Sequence, residues 1–187
     1  MNKRTLGFVI GRFQPYHNGH KYLIENAYEN CDTLIVFIGS VQEARTQKNP
    51  FTFFERWRML YDDLNLEYNR NIIFIPLDDK ETNEEWIKAI EDEIIQIKKF
   101  SYSEHVRFFC CDKDQSTIES NNLLKELDVE ICRVEHPHGV NATDIRKMMF
   151  NGMEFQIIDF VPHSTLNVIG KTKIIEEFEA KYQYTNE

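Results

Sequence analysis

Apolar and polar positions alternate along this chain in two rhythms. Nearly unbroken runs of β-branched and aromatic residues stand at TLGFVIG (5–11), TLIVFIGS (33–40), NIIFIPL (71–77), VRFFCC (106–111) and VEICRV (129–134). Such runs predict strands covered on both faces, as in a parallel sheet. Between them the apolar positions take helical spacing. KYLIENAY sets Leu23, Ile24, Ala27 and Tyr28 on one face. TFFERWRMLYDDL opens on Thr52-x-x-Glu55 and TNEEWIKAIEDEIIQIKK on Thr82-x-x-Glu85, both capping-box patterns, and STIESNNLLKEL completes the set. Strand and helix in alternation predict an α/β fold, a doubly wound, Rossmann-like parallel five-stranded sheet with helices on both faces. TDIRKMMF and TKIIEEFEAKY add a short helical C-terminal segment. Phe53, Phe54 and Trp57 read as core positions of the second helix, and Glu91-Asp92-Glu93 as a solvated helix face. No repeat, low-complexity linker or Pro/Gly-rich boundary interrupts the pattern. Residues 1–187 therefore read as one domain, with the sheet core at 5–135 and the closing helices at 139–183.

Length changes little in this picture: 187 residues suit one domain with a full core. No apolar run approaches a membrane span. The opening MNKRTLGFVIGRF contains Gly7 and Gly11 and runs into Arg12, so it reads as a first strand rather than a signal peptide. Cys31, Cys110, Cys111 and Cys132 show no C-x-x-C spacing, the usage of reduced, buried thiols in a cytoplasmic protein. His136-x-His138 near Cys132 is an incomplete metal set and reads as a loop.

Charge adds more. A net charge of -9 argues against a nucleic-acid partner, which needs a basic stripe. Yet residues 1–60 hold eight Lys+Arg against five Asp+Glu, a balance of +3, while the rest holds fourteen against twenty-six, a balance of -12. A basic first third inside an acidic protein suits a confined anion site.

The chemistry concentrates in GRFQPYHNGH (11–20), between the first strand and the first helix. In doubly wound sheets ligands sit beyond the carboxyl ends of the strands, where strand order reverses. Gly11 lets the backbone pass close to a ligand, Pro15 stiffens the turn, and Arg12 supplies a permanent charge. If the helix begins at Asn18 or Gly19, His17 and His20 both lie near its positive end, with its unsatisfied N–H groups. That combination points to phosphate. The dinucleotide fingerprint G-x-G-x-x-G is absent. TLNVIGKT ends like a phosphate-binding loop but has Thr165 where the first glycine belongs, and no strand precedes it.

GRFQPYHNGH resembles the signature of the H-x-G-H nucleotidyltransferase superfamily. More narrowly it resembles the archaeal-type nicotinamide mononucleotide adenylyltransferases, including those fused to a Nudix hydrolase. The likeness continues through GSVQEARTQKNPFTFFER (39–56), Asp79-x-x-x-Asn83-x-x-Trp86, CCDKDQST (110–117) and GVNATDIRKMMFNG (139–152). Five ordered blocks across residues 5–162 make it specific. A Nudix domain would require more chain, so the likeness is to the transferase alone.

The resemblance implies the reaction ATP + NMN → NAD + diphosphate, with Mg²⁺ accompanying ATP and no metal site made by protein side chains. The nucleophile is a phosphate oxygen already anionic at neutral pH, so cationic donors are needed rather than a general base. By the same resemblance His17, His20 and Arg146 are catalytic, with His20 nearest the α-phosphate. Gly11, Arg12, Phe13, Lys48, Asn141 and Thr143 join them in binding the ATP phosphates, and Lys113 and Asp114 face the adenosine. Asn141 replaces the family's usual serine; asparagine caps a helix as well, while a direct hydroxyl contact to phosphate is lost. Asp79 and Asn83 make polar contacts to the mononucleotide. Trp86 offers an aromatic face to the cationic nicotinamide ring, though alone it would read as the apolar anchor of its helix, beside Ile87 and Ile90.

Two alternatives stand beside this one. Another phosphate acceptor (phosphopantetheine, a polyol phosphate or FMN) keeps the superfamily, but an aliphatic arm has no use for Trp86. A non-catalytic nucleotide sensor would not need His17, His20 and Arg146 together. The expected partners are small molecules, with no nucleic acid and no membrane, and a homo-oligomer is compatible with the family.

Overall fold

The computed structural model describes residues 4–67, 71–111, 115–135, 141–151, 153–174 and 176. Strands β1 (Thr5–Gly11), β2 (Thr33–Gly39), β3 (Ile72–Leu77), β4 (His105–Cys110) and β5 (Glu130–Arg133) form one sheet in the order β3-β2-β1-β4-β5. Every pairing is parallel. The helices are α1 (Asn18–Glu29), α2 (Phe53–Glu67), α3 (Asn83–Ser101), α4 (Gln115–Leu123), α5 (Ala142–Phe150) and α6 (His163–Thr172). All five predicted strands are present, with ends shifted by a residue or so; β2 stops at Gly39 because Ser40 turns into the left-handed region at φ 50°.

The chain divides into two compact units. The first comprises residues 1–12, 22–42 and 71–137 and contains the sheet. Alternate residues on β1 and β2 point to opposite faces, yet Leu6, Phe8, Val9, Leu34, Ile35, Val36, Phe37 and Ile38 are all fully buried. Burial of both faces explains why the runs are continuous rather than alternating. On one face Leu6, Phe8, Ile35, Phe37 and Phe108 pack with Ile87, Ile90 and Ile94 of α3, and Phe8 stacks on Phe108 at 4.9 Å. The predicted capping box of α3 is complete: Glu85 N–H donates to Thr82 Oγ1, and Thr82 N–H to Glu85 Oε2. At Gly7 a Cβ would sit 2.7 Å from Cys31 Sγ, so any side chain there would force Cys31 to shift. Chain order reverses at β1, since β2 and β3 extend to one side and β4 and β5 to the other.

The second unit comprises residues 13–21, 43–70 and 138–187. Its helix α2 corrects the sequence reading: Phe54 is 74% exposed, whereas Arg56 is wholly buried. The inward stripe is Arg56, Met59, Leu60 and Leu64, which follows helical spacing but is headed by a cation. Phe53 and Trp57 are half-buried.

Helix α6 was not anticipated. It occupies HSTLNVIGKT, the stretch discarded as a phosphate loop, and ends at Lys173 in the left-handed region. The expectation of a helix over TKIIEEFEAKY (172–182) overlaps α6 at Thr172, and residues 175 and 177–187 lie outside the described residues. Ser164 Oγ donates to Met59 O and Thr165 Oγ1 to Tyr16 O, which fixes the inner face of α6 through hydroxyls. All four cysteines are free thiols; Cys110 and Cys111 are buried as expected, but Cys31 and Cys132 are only half-buried. Burial pushes the Cys31 thiol up to about 11. His136 and His138 lie outside the described residues.

Candidate active site

Gly11 ends β1 and Arg12, exposed, follows it. In the second unit the chain continues through Phe13, at φ 51°. Helix α1 begins at Asn18, so both histidines lie at its start. His17 is the residue just before the helix: its carbonyl accepts from Lys21 N–H and its Nδ1 accepts from Gly19 N–H at 3.1 Å. An imidazole that accepts at Nδ1 carries its proton on Nε2 when neutral. His20 lies one turn on, its ring centroid 3.7 Å from that of His17. Phe13 meets His20 edge-on at 4.8 Å. His17 is 1% exposed while His20 is half-buried. Of the pair, His20 is the more accessible.

Tyr16, wholly buried, lies parallel to His20 at 6.3 Å and donates its hydroxyl to Asp63 Oδ2 at 2.9 Å. Lys21 pairs with the other oxygen of Asp63 at 3.3 Å.

Asn141 caps α5, its Oδ1 accepting from Thr143 N–H at 2.9 Å and Asp144 N–H at 3.1 Å. Arg146, 8% exposed, donates from Nη1 to Gln14 O at 2.7 Å and from Nη2 to Thr143 Oγ1 at 3.1 Å. A planar guanidinium held by two partners has a fixed orientation.

Lys48 is exposed, in a loop tied down on both sides. Thr46 N–H donates to Asn49 O, and Asn49 N–H to Thr46 Oγ1. Phe51 is paired through its backbone with the Gln14 side chain. Arg45, at φ 60°, donates to Pro50 O and makes a bidentate pair with Glu55 at 2.6 and 2.8 Å. Burial alone would raise the Glu55 carboxyl; Arg45 and the Thr52 N–H overcome it and hold it below its ordinary value.

In the sheet-containing unit, Asp79 is exposed and accepts from Ser40 Oγ and Gln42 Nε2, each at 2.9 Å. Asn83 is the exposed first residue of α3, and Trp86, half-buried, packs against the apolar core on the same helix. Lys113 and Asp114 lie outside the described residues.

The sequence reading missed the residues that hold this machinery: Gln14, Tyr16, Ser40, Gln42, Arg45 and Asp63. Gln14 and Tyr16 stood inside the stretch singled out for its chemistry, and a glutamine before a proline in a tight turn was the available signal. Among the described residues no group of three or more His, Cys, Asp or Glu could hold a metal ion, and no helix is long and apolar enough to cross a membrane.

The all-parallel five-stranded sheet with its helices defines a protein of the α/β class. The family model for cytidylyltransferase-like proteins matches residues 8–148, and the chain belongs to that family. Within it, the chain is 30% identical to the nicotinamide-nucleotide adenylyltransferase of Halobacterium salinarum over 181 residues, 94% of this chain and 91% of that one. It is 32% identical to the enzyme of the same name from Haloarcula marismortui, covering 92% of this chain and 85% of that one. Its place is among the nicotinamide-nucleotide adenylyltransferases.

The fold agrees. A bifunctional NMN adenylyltransferase/ADP ribose pyrophosphatase from Francisella tularensis, crystallised with AMP and a manganese ion, superposes with a TM-score of 0.68 at 21% identity. The match covers 97% of this chain and 56% of that one.

Proposed function

We propose that this chain joins ATP and nicotinamide mononucleotide into NAD and diphosphate, by direct in-line attack of the mononucleotide phosphate on the α-phosphate of ATP. One P–O bond forms at the α-phosphorus as the bond to the β-phosphate oxygen breaks. The attacking oxygen is already ionised, so the protein's task is to hold the triphosphate and absorb the charge that builds on it.

The observation that carries this reading is the imidazole pair at the start of α1, backed by Phe13. His20, the more accessible ring, donates to the α-phosphate in the transition state. His17 supports it and presents Nε2 as the donating nitrogen. Arg146, held in orientation by Gln14 and Thr143, receives the departing diphosphate. Arg12, Lys48 and the Asn141-capped start of α5 complete the phosphate contacts. Trp86 takes the nicotinamide ring, with Asp79 and Asn83 as polar partners. ATP would enter as its Mg²⁺ complex, the ion adding its charge to that of Arg12, Lys48 and Arg146 in offsetting the triphosphate.

The test is an acceptor panel. With Mg·ATP, diphosphate release is expected with nicotinamide mononucleotide and not with phosphopantetheine, a polyol phosphate or FMN. Release with one of those acceptors and none with the mononucleotide overturns the assignment.

A further inference from the structure

We propose that Gln14 is a positioning residue for both triphosphate cations of the second unit: its side chain sets the loop that carries Lys48, and its main-chain carbonyl aims Arg146. The proposal rests on the reading that Lys48 and Arg146 meet the triphosphate.

Gln14 is 1% exposed and Phe51, its partner, is wholly buried. Gln14 Nε2 donates to Phe51 O at 2.8 Å, and Phe51 N–H donates to Gln14 Oε1 at 2.9 Å. The two bonds fix which end of the amide is nitrogen, because a flipped amide would set donor against donor and acceptor against acceptor. Only a carboxamide of this length satisfies a buried peptide N–H and C=O together, and removing it strands both.

Lys48 stands three residues before Phe51, next to the Asn49–Thr46 hydrogen-bond pair. The segment from Thr46 to Phe51 is therefore closed at one end on itself and at the other on Gln14. Because Lys48 is exposed, the course of this backbone decides where its ammonium group starts. The carbonyl of Gln14 meanwhile accepts a 2.7 Å hydrogen bond from Arg146 Nη1 across 132 residues of sequence. One residue thus gives two cations on separate segments a common reference. Positioning matters at this scale, since a displacement of about 1 Å can cost up to about a hundredfold in rate.

Gln14→Met keeps length and volume and removes the amide. It is expected to lower kcat/KM for ATP by about tenfold while KM for the mononucleotide stays within about twofold. A loss routed through the loop must shrink when Lys48 is absent, so in a Lys48→Ala background the same change is expected to cost less than about threefold. Gln14→Asn, with the amide one methylene short, serves as the second variant and is expected to fall between Gln14→Met and the parent.

Equal losses in both backgrounds, or equal weakening for both substrates, overturn the proposal. So does failure of both variants to fold by circular dichroism, which would make Gln14 a purely structural residue. If Lys48→Ala and Arg146→Lys themselves leave ATP kinetics unaltered, the underlying triphosphate reading falls, and that result is distinguishable from the others.

Discussion

Gln14 and His17 are 1% exposed and Arg146 is 8% exposed, whereas Asp79 and Asn83 lie open to solvent and Trp86 is half-buried. The two groups belong to different compact units, and they differ in how much of their hydrogen bonding is settled in advance. The first is locked: His17 by Gly19 N–H, Arg146 by Gln14 and Thr143, and the Lys48 loop by Gln14 and Arg45. In the second, Asp79 is held by Ser40 and Gln42 at the surface, while Trp86 has its helix and the core behind it. Donors that act on developing charge lose their advantage if they must reorganise at the moment of reaction. A site that only has to recognise an aromatic cation needs a face and a few polar atoms. On the proposed function, the contrast separates residues assigned to rate from residues assigned to affinity.

The sharpest way to break that separation is His20→Ala. It is expected to cut kcat by about a hundred- to a thousandfold, the range for losing one preorganised donor at a transition state, with KM for either substrate changed far less. Steady-state kinetics under saturating ATP reads it. A kcat within a few-fold of the parent would mean that the imidazole pair is a helix cap and aromatic packing and nothing more.

Trp86→Ala probes the other side at smaller scale. A cation–π contact of about 1–2 kcal/mol corresponds to roughly a tenfold rise in KM for the mononucleotide, with KM for ATP unaltered. Because Trp86 also packs on the core, Trp86→Leu is the necessary companion. If leucine restores the KM, the residue is an apolar anchor and the aromatic face is irrelevant.

The strands were legible because burial on both faces leaves no polar position to blur the pattern, as in TLIVFIG. The capping boxes were legible because Thr-x-x-Glu reports local chemistry that tertiary packing seldom overrides. Where packing reaches across the chain, the pattern misled. Phe54 looked like core and is open, because the inward face of α2 is set by Arg56, Met59, Leu60 and Leu64. Helix α6 went unseen because half of its buried stripe is the hydroxyl pair Ser164 and Thr165, and the apolar half, Val168 and Ile169, sits in a string that reads as a phosphate loop; Pro162 before it was a further local signal. In the site His17, His20, Arg146 and Trp86 stood out because they fall in recognisable spacings, whereas Gln14 did not. Its role depends on Phe51 and Arg146, 37 and 132 residues away.

The smallest effect concerns Asn141, the N-cap of α5. Asn141 Oδ1 takes both Thr143 N–H and Asp144 N–H, the same donors that a phosphate at a helix N-terminus would use. A bound phosphate must then share those N–H groups with the cap or bind beside it. Asn141→Ala is expected to cost about 1 kcal/mol of stability, read as a drop in Tm of about 2–4 °C for a chain of this size. Fraying of the first turn should raise KM for ATP by about two- to fivefold, the scale of a helix-terminus charge interaction. Asn141→Ser, an equally good cap, should return both quantities to the parent values. If serine instead lowers KM for ATP below that of the parent, the amide is an obstacle that the hydroxyl removes, and the start of α5 contacts phosphate directly. If alanine lowers kcat by more than tenfold with Tm unchanged, Asn141 belongs with the locked donors, and the line between rate and affinity must be redrawn to include it.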